Sequence, residues 1–263
     1  MADKFEGLAQ ALAAAWRSGG TVPLPPAGSA PTTRAEAFAV QDRMAEILGD
    51  KVVGWKVGAT VKAVQQFEGH TGPVPGRVFA DRLFMSPAKV PAKQYHAPKV
   101  ECEFAFRLNA DLPRTSGPVR PADLAPLLTF HPAIELAATR YAPGTGHRAA
   151  TTYDGIADNG TSGAVVLGAG ITDWQALPFE TMEIDGRIDG SPPLQAYSGP
   201  YRRHPLEVTA ETFTELFARG VSLPAGTCLL TGSLTLPTTI RPGQTLVARF
   251  ADFAPLTLTL TKD

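Results

Sequence analysis

The chain has 263 residues, 44% of them hydrophobic, and its 24 Lys and Arg nearly balance its 25 Asp and Glu, giving a net charge of −1. This composition allows a sizeable core, argues against global disorder and excludes a broadly basic surface for nucleic acids. No run of about 18 apolar residues occurs, two cysteines are too few for a disulfide framework, and the first twenty residues lack the apolar core of a secretory signal. We therefore expect a cytoplasmic protein without nucleic-acid or membrane partners.

Two amphipathic helices are predicted at the start of the chain. The first has apolar residues at helical spacing and ends at Gly19-Gly20. The second begins at Thr33, because Thr33-Arg34-Ala35-Glu36 has the form of a capping box, in which the hydroxyl and the carboxylate satisfy free backbone N–H groups. The segment VVGWKVG at 52–58 is β-branched and bounded by glycine, which predicts a strand.

From about residue 76 the sequence indicates short strands separated by turns, with a helix over Ala210–Arg219 that Thr209 could cap. The predicted strands are Val78–Phe84, Val100–Leu108, Ala164–Leu167, Glu180–Ile184, Cys228–Thr231, Thr245–Phe250 and Leu256–Leu260. Regular βαβ alternation and the glycine turns of nucleotide-binding folds are absent from the sequence. We expect an α+β, mainly β protein, with a small helical N-terminal region (1–75) and a β domain (76–263).

The most informative segment for chemistry is VECEFAF at 100–106. On a strand, alternate side chains share a face, so Glu101 and Glu103 lie on one face, about 7 Å apart, and the apolar residues face a core. Two carboxylates so placed repel each other unless one takes a proton or both bind a cation. Oxygen ligands alone favour Mg²⁺, Mn²⁺ or Ca²⁺ over zinc. The alternative is an exposed strand face with solvated acids.

Two further charged residues lie in apolar surroundings. Glu135 is the acid of the apolar segment 133–138, where an ionised carboxylate is costly unless it is paired or bound to a metal. It could instead lie at the edge of an element and reach water. Lys56 is the cation of the strand segment GWKVG, where it could neutralise a carboxylate beside a metal or simply lie at the strand surface.

Hydroxyl-bearing turns offer candidate substrate contacts. The segment Asp158-Asn159-Gly160-Thr161-Ser162 could be an ordinary Asn-Gly turn, or it could direct the hydroxyls of Thr161 and Ser162 towards an anionic substrate. Thr231 places another hydroxyl at the end of a predicted strand. His70 shows no metal-ligand spacing and is predicted to be a surface or loop histidine.

Seven short motifs occur in order along the chain: GWKVG, VFAD, VECEFA, AIEL, ADNGTSGAVVLG, HPL and LTGSL. In this order and with similar spacing they resemble the fumarylacetoacetate hydrolase superfamily. The closer resemblance is to its 2-keto-4-pentenoate hydratase and 4-oxalocrotonate decarboxylase branch, over roughly residues 34–250. Glu135 as the third acid is like the hydratase branch, since the hydrolase branch typically has Asp there.

The resemblance implies a fumarylacetoacetate hydrolase-like mixed β roll that holds one Mg²⁺ or Mn²⁺ between Glu101, Glu103 and Glu135. Lys56 matches the family lysine that faces this site, which implies a catalytic and a substrate-binding role. The family turn A-D-N-x-S-S implies substrate contacts from Asp158 and Asn159 and catalytic hydroxyls from Thr161 and Ser162. Thr231, in the motif LTGSL, is expected to contact substrate as well.

The activity that the resemblance implies is that of a metal-dependent lyase on a small 2-oxo acid or its dienol. We expect a 2-keto-4-pentenoate-type hydratase of aromatic-compound catabolism that works through a metal-stabilised enolate. The alternatives are a 4-oxalocrotonate-type decarboxylase, a C–C hydrolase and a non-catalytic partner subunit. The hydrolase is weakened because no histidine–glutamate pair that could activate water is evident near the metal motif. The family also implies a homo-oligomer, or a hetero-complex with a related hydratase or decarboxylase.

The chain departs from the family pattern in two segments. Val74 stands where hydratases of this branch commonly have an acid in a P-D-F-G turn, which bears on the delivery of water. Asp81 and Glu68 lie nearby in the sequence. Before the motif HPL, Arg202 and Arg203 replace small residues, and two guanidinium groups could bind the second carboxylate of a dicarboxylic substrate. The alternative for the arginines is a solvated basic loop.

Overall fold

In a computed structural model, residues 2–115, 117–142, 144 and 148–262 are described. The helices of these residues are α1 (Ala2–Ser18), α2 (Arg34–Leu48), α3 (Lys62–Glu68), α4 (Pro121–Leu124), α5 (Thr152–Ala157) and α6 (Pro205–Ala218). Within this described part, no helix is long and apolar enough to cross a membrane.

The N-terminal helices form where the sequence predicts them. Thr33 caps α2, since its hydroxyl accepts a hydrogen bond from the backbone N–H of Glu36. The carboxylate of Glu36 accepts from the backbone N–H of Thr32 rather than that of Thr33, so the reciprocal bond lies one residue earlier than in a standard capping box. α1 and α2 share one apolar cluster, and this cluster also takes in Val74 and Ile156. The division at residue 75 stays a prediction.

Two sheets make up the rest of the described fold. Their strands are β1 (Val52–Gly58), β2 (Val74–Phe79), β3 (Leu83–Met85), β4 (Ala88–Pro91), β5 (Lys99–Leu108), β6 (Leu128–Ala137), β7 (Ala164–Leu167), β8 (Ile184–Ile188), β9 (Cys228–Ser233), β10 (Thr238–Thr239), β11 (Thr245–Phe250) and β12 (Leu256–Thr261). The large sheet has the order β2-β1-β9-β5-β6-β7-β3, with β10 on β5, and the second sheet has the order β4-β12-β11-β8. The α+β class and the curled sheets of a β roll are confirmed, with helix at 31% and strand at 30%.

The main core lies between the two sheets and decides which face of β5 is free for chemistry. Cys102, Phe104 and Phe106 on β5 are fully buried in this core, together with Phe250 on β11 and Leu258 on β12. The predicted alternation of VECEFAF is therefore confirmed. The opposite face of β5, which carries the two glutamates, turns away from this core.

Three local predictions are wrong. The predicted strand Val78–Phe84 is divided, because a single turn of 3₁₀ helix over 80–82 separates β2 from β3. The predicted strand Glu180–Ile184 lies earlier than β8, which begins only at Ile184. The helix predicted over Ala210–Arg219 begins earlier, because α6 starts at Pro205, a residue type suited to the first turn of a helix. His204, and not Thr209, caps it. Thr209 lies inside this helix, where its hydroxyl donates to the carbonyl of Pro205.

Candidate metal centre

Antiparallel pairing of β5 with β6 brings the three predicted carboxylates together. Glu101 lies directly opposite Glu135, and Glu103 lies opposite Ala133, two residues along the same face. One carboxylate oxygen from each glutamate can be chosen so that all three lie within 4.8 Å of one another, a spacing at which they could hold a metal ion. This is a set of hard oxygen ligands, which suits Mg²⁺ or Mn²⁺.

Because these carboxylates are buried, their ionised forms cost free energy unless a cation is bound. Glu103 is 1% exposed and Glu135 is 2% exposed. The backbone N–H of Gly232 on β9 donates to Oε2 of Glu103 at 2.9 Å. Oε1 of Glu135 lies 3.2 Å from Nζ of Lys56, an ion-pair contact, but it has no partner in hydrogen-bond geometry. Three carboxylates and one ammonium give a net charge of −2 when all are ionised, which a divalent cation would balance.

The pKa values of the cluster reflect this crowding. Burial, followed by the charge of Glu135, raises the pKa of Glu101 to about 7. Burial and the carboxylates of Glu135 and Glu101 raise the pKa of Glu103 well above its ordinary value. For Lys56, burial alone would lower the pKa, but the three carboxylates outweigh burial and raise it. The lysine therefore stays charged among acids that tend to hold protons.

We expect the metal-stripped protein to lose stability as the pH rises. The pKa of Glu101 goes from 4.5 to about 7 on folding, so between these values the folded state binds more protons than the unfolded chain. The free energy of unfolding should therefore fall between about pH 5 and about pH 7, and Glu103 acts in the same direction. Urea unfolding at both ends of this range, in wild type and in Glu101→Gln, measures the effect. A variant that loses as much stability as the wild type would contradict it.

A cavity of about 420 Å³ opens in front of the cluster. Lys56 and the three glutamates line it, and so does Thr161, the predicted catalytic hydroxyl. The other described lining residues are mostly small or apolar, with a few polar groups: Val57, Gly58, Ala59, Thr60, Val61, Val64, Glu68, His70, Val74, Gly155, Gly160, Tyr197, Tyr201, Gly232, Ser233 and Pro237.

Asp158, predicted as a substrate contact, is fully buried and does not line this cavity. Its carboxylate accepts hydrogen bonds from the backbone N–H and the guanidinium of Arg140 and from the hydroxyl of Thr139. The guanidinium of Arg140 also donates to the carbonyl of Ser162, whose side chain is buried outside the cavity lining. This network holds the turn in place rather than facing a substrate.

Asn159 likewise bonds to the protein backbone. Its side-chain amide accepts from the N–H of Arg77 at 2.7 Å and donates to the carbonyl of Arg77 at 2.9 Å, so it continues the pairing pattern of β2. Asn159, Gly160 and Thr161 all have positive φ, between 53° and 60°. This tight turn brings Gly160 against Lys56 and presents Thr161 to the cavity.

The remaining predicted substrate contacts lie outside the cavity lining. The hydroxyl of Thr231 donates to the carbonyl of Phe104 on the neighbouring strand. Arg203 makes a double hydrogen bond to the carboxylate of Glu211, and Arg202 donates to the carbonyl of Glu180. The structure thus brings Lys56, Thr161 and the three glutamates together, but not Asp158, Asn159, Ser162, Thr231, Arg202 or Arg203.

Breaking the Asp158–Arg140 pair should mainly affect stability. Asp158→Asn leaves the buried Arg140 charge without its partner, which typically costs about 3–5 kcal/mol. We expect a lower urea midpoint, with unchanged metal-dependent oxalate binding in the folded fraction. Asp123→Asn, in the exposed pair with Arg120, is the matched control and should leave the midpoint unchanged. Weakened oxalate binding with intact stability would instead place Asp158 at the substrate.

Sequence reasoning missed an acid–base pair at this cavity. Glu68 and His70 both line it, and Oε2 of Glu68 lies 3.3 Å from Nε2 of His70. His70 lies in a loop, as predicted, but it also lines the cavity, so the expectation that no histidine–glutamate pair lies near the metal motif is wrong. The available signal was the close spacing of the two residues after a short apolar helix, which is too common a pattern to single them out.

Comparison with known proteins gives relatives over most of the chain, although no family model matches. A TodF product hydratase of Pseudomonas putida is 30% identical over 232 residues, which cover 86% of this chain and 84% of the relative. A 2-keto-4-pentenoate hydratase of Paraburkholderia xenovorans is 29% identical over 212 residues, covering 80% of this chain and 77% of the relative.

The fold has a solved counterpart. The structure of 4-oxalocrotonate decarboxylase from Pseudomonas putida G7, complexed with magnesium and adipate, superimposes with a TM-score of 0.84 at 23% identity, over 97% of this chain and 96% of that one. Together with the hydratase relatives, this confirms the resemblance drawn from the seven motifs. The chain belongs to the 2-keto-4-pentenoate hydratase and 4-oxalocrotonate decarboxylase branch of the fumarylacetoacetate hydrolase superfamily, a branch of lyases.

Proposed function

We propose that this protein is a divalent-metal-dependent hydratase that acts on a small monocarboxylic 2-oxo acid or its dienol in aromatic-compound catabolism. The observation that carries the proposal is the buried cluster of Glu101, Glu103, Glu135 and Lys56 at a cavity large enough for such a substrate. The hydratase names of the relatives at 29% and 30% identity support the reaction class.

The three glutamates would hold Mg²⁺ or Mn²⁺, and the structural feature that fits a cation best is Oε1 of Glu135, which is buried without a hydrogen bond beside its ion-pair contact with Lys56. A bound ion would supply Lewis-acid stabilisation of the negative charge that develops on the oxygen at C2. Lys56 adds a fixed positive charge beside that oxygen, and preorganised charge at a developing oxyanion is usually a large contribution to rate. The hydroxyl of Thr161, which donates to the carbonyl of Gly160 in this structure, is the candidate donor to the substrate carboxylate after rotation of its O–H bond.

The cavity favours a substrate with a single carboxylate. Among its described lining residues, Lys56 is the one lysine or arginine, and it already faces the three glutamates. Arg202 and Arg203, the predicted partners of a second carboxylate, are absent from that lining. The lining also includes Val57, Val61, Val64 and Val74, which suit an apolar tail. Relatives named 2-keto-4-pentenoate hydratase and 2-hydroxyhexa-2,4-dienoate hydratase act on compounds of this kind by name.

Two measurements test the proposal. Calorimetric titration of oxalate, an enolate mimic, into metal-stripped protein should show binding only after Mg²⁺ or Mn²⁺ is added. The loaded protein should then hydrate 2-hydroxypenta-2,4-dienoate faster than it decarboxylates 4-oxalocrotonate. Equal oxalate affinity with and without the metal would refute the metal site. Decarboxylation of 4-oxalocrotonate that is faster than hydration of the dienol would make the protein a decarboxylase instead. A homo-oligomer, and a hetero-complex with a related hydratase or decarboxylase, stay predictions from the resemblance.

A further inference from the structure

Hydration needs a group that can take a proton from water and return one to carbon. The three glutamates and Lys56 are occupied by one another and by the cation they would share. The other ionisable side chains among the described lining residues are Glu68, His70, Tyr197 and Tyr201. Burial, followed by the carboxylates of Glu101 and Glu68, raises the pKa of Tyr197, so this phenol keeps its proton and can only donate.

The chain turns sharply to bring Glu68 and His70 together. α3 ends at Glu68, Gly69 has φ of 75°, and the backbone N–H of His70 donates to the carbonyl of Gln65 at 2.8 Å. This turn leaves Nε2 of His70 3.3 Å from the carboxylate of Glu68. The hydroxyl of Thr152 on α5 contacts both ring nitrogens, Nδ1 more closely and Nε2 at 3.2 Å.

The side chain of His70 is held in one orientation, while that of Glu68 is accessible to solvent. The side chain of His70 is only 11% exposed and is held from two sides, whereas that of Glu68 is 48% exposed at the mouth of the cavity. The ring of His70 contacts both a carboxylate and a hydroxyl, and a ring nitrogen of histidine is the side-chain atom that most often serves as general acid or base. These are the properties of a group that accepts and returns a proton in each turnover.

We propose that Glu68 and His70 together form the acid–base group of the hydration step, an inference that rests on the proposed function. The dienol first becomes the conjugated 2-oxo-3-enoate, as its hydroxyl proton leaves and a proton adds to C5. The oxygen of water then bonds to C4, the carbon β to the 2-oxo group, and the electron pair of the C3–C4 double bond moves towards the oxygen at C2. The proton that water loses goes to the Glu68–His70 pair, and the pair returns a proton to C3 as the 2-oxo group re-forms. One water is added, and the pair ends each turnover as it began.

The surroundings of Val74 support this assignment. Val74 is 5% exposed and lines the cavity where an acid would be expected, but an isopropyl group cannot exchange protons. Asp81, the other nearby acid, is paired with Arg82 and does not line the cavity. Glu68 and His70 line the same cavity as Val74 and carry groups that can exchange protons.

The test compares His70→Asn and Glu68→Gln with wild type and with the control His96→Asn. Asparagine retains hydrogen bonding to Thr152 but cannot titrate. His96 lines a separate, very small cavity beside Arg82. Three quantities are measured: Mg²⁺-dependent oxalate affinity, the pH profile of kcat for 2-hydroxypenta-2,4-dienoate, and exchange of the C3 hydrogens of 2-oxopentanoate in D₂O. The titratable and charged groups that share the cavity with His70 are Glu68, Lys56, Glu101, Glu103, Glu135, Tyr197 and Tyr201.

We expect His70→Asn to bind oxalate as wild type does, while kcat and C3 exchange fall about 100-fold and the pH profile loses one limb. Glu68→Gln should show a smaller loss and a shifted limb, and His96→Asn should show no change. Normal kcat with an unaltered pH profile in both variants overturns the pair while leaving the proposed function intact. Wild type that neither hydrates the dienol nor exchanges C3 hydrogen refutes the proposed function and the pair with it.

Discussion

Replacing Glu103 by glutamine is expected to abolish metal-dependent turnover without unfolding the protein. Glutamine keeps an oxygen that can accept the hydrogen bond from the N–H of Gly232, so the local backbone has no reason to move. It removes one of the three charges that would hold the cation, and turnover should fall at least about 1,000-fold, equivalent to about 4 kcal/mol of transition-state stabilisation. Steady-state kinetics with saturating Mg²⁺ gives this number.

The stability of the same variant supplies an independent readout. Burial raises the pKa of Glu103 well above its ordinary value, so the ionised form opposes folding at neutral pH. Metal-stripped Glu103→Gln should therefore be at least as stable as wild type at about pH 8, yet gain nothing from added Mg²⁺. Glu183→Gln, an exposed change on the loop before β8, is the matched control and should alter neither quantity. Full activity in Glu103→Gln would remove this residue from the metal site.

Local patterns were enough to predict one side of the site. Alternation along β5 depends on neighbouring residues alone, so the shared face of Glu101 and Glu103 follows from the sequence. The position of Glu135 opposite Glu101 depends on the register of two strands that are far apart in the chain, which no local pattern contains. Here the resemblance supplied what periodicity could not.

Where the structure differs from the local pattern, the difference comes from partners that are distant in sequence. A polar turn next to an apolar run is typical of a ligand-binding loop, but the carboxylate of Asp158 forms an ion pair with Arg140, a buried cation outside that turn. A histidine after a short helix indicates a loop residue, and His70 is one, but the local pattern does not show that the turn at Gly69 brings it to the cavity and to Glu68. In both cases the local pattern identifies a turn, and tertiary contacts decide what the turn does.

Replacing Lys56 by methionine is expected to separate catalysis from metal binding. Nζ of Lys56 lies 3.2 Å from Glu135, and its side chain runs along a channel past Gly76 and Gly160, where a Cβ at either glycine would contact it at 3.5 Å. Methionine has a similar length and flexibility and can fill this channel. The variant loses the positive charge beside the developing oxyanion, and kcat should fall about 100- to 1,000-fold.

The affinity of Lys56→Met for Mg²⁺ should not fall together with its kcat. Removing Lys56 changes the net charge of the ionised cluster from −2 to −3, so Mg²⁺ at about pH 8 should bind at least as tightly as in wild type. Calorimetric titration with Mg²⁺, run beside the kinetics, measures both effects in one preparation. Lys51→Met, an exposed change just before β1, controls for the loss of a positive charge elsewhere. Because a merely structural lysine would lower metal affinity and kcat together, weaker Mg²⁺ binding in Lys56→Met would assign this residue to holding the carboxylates in place instead of to stabilising the oxyanion.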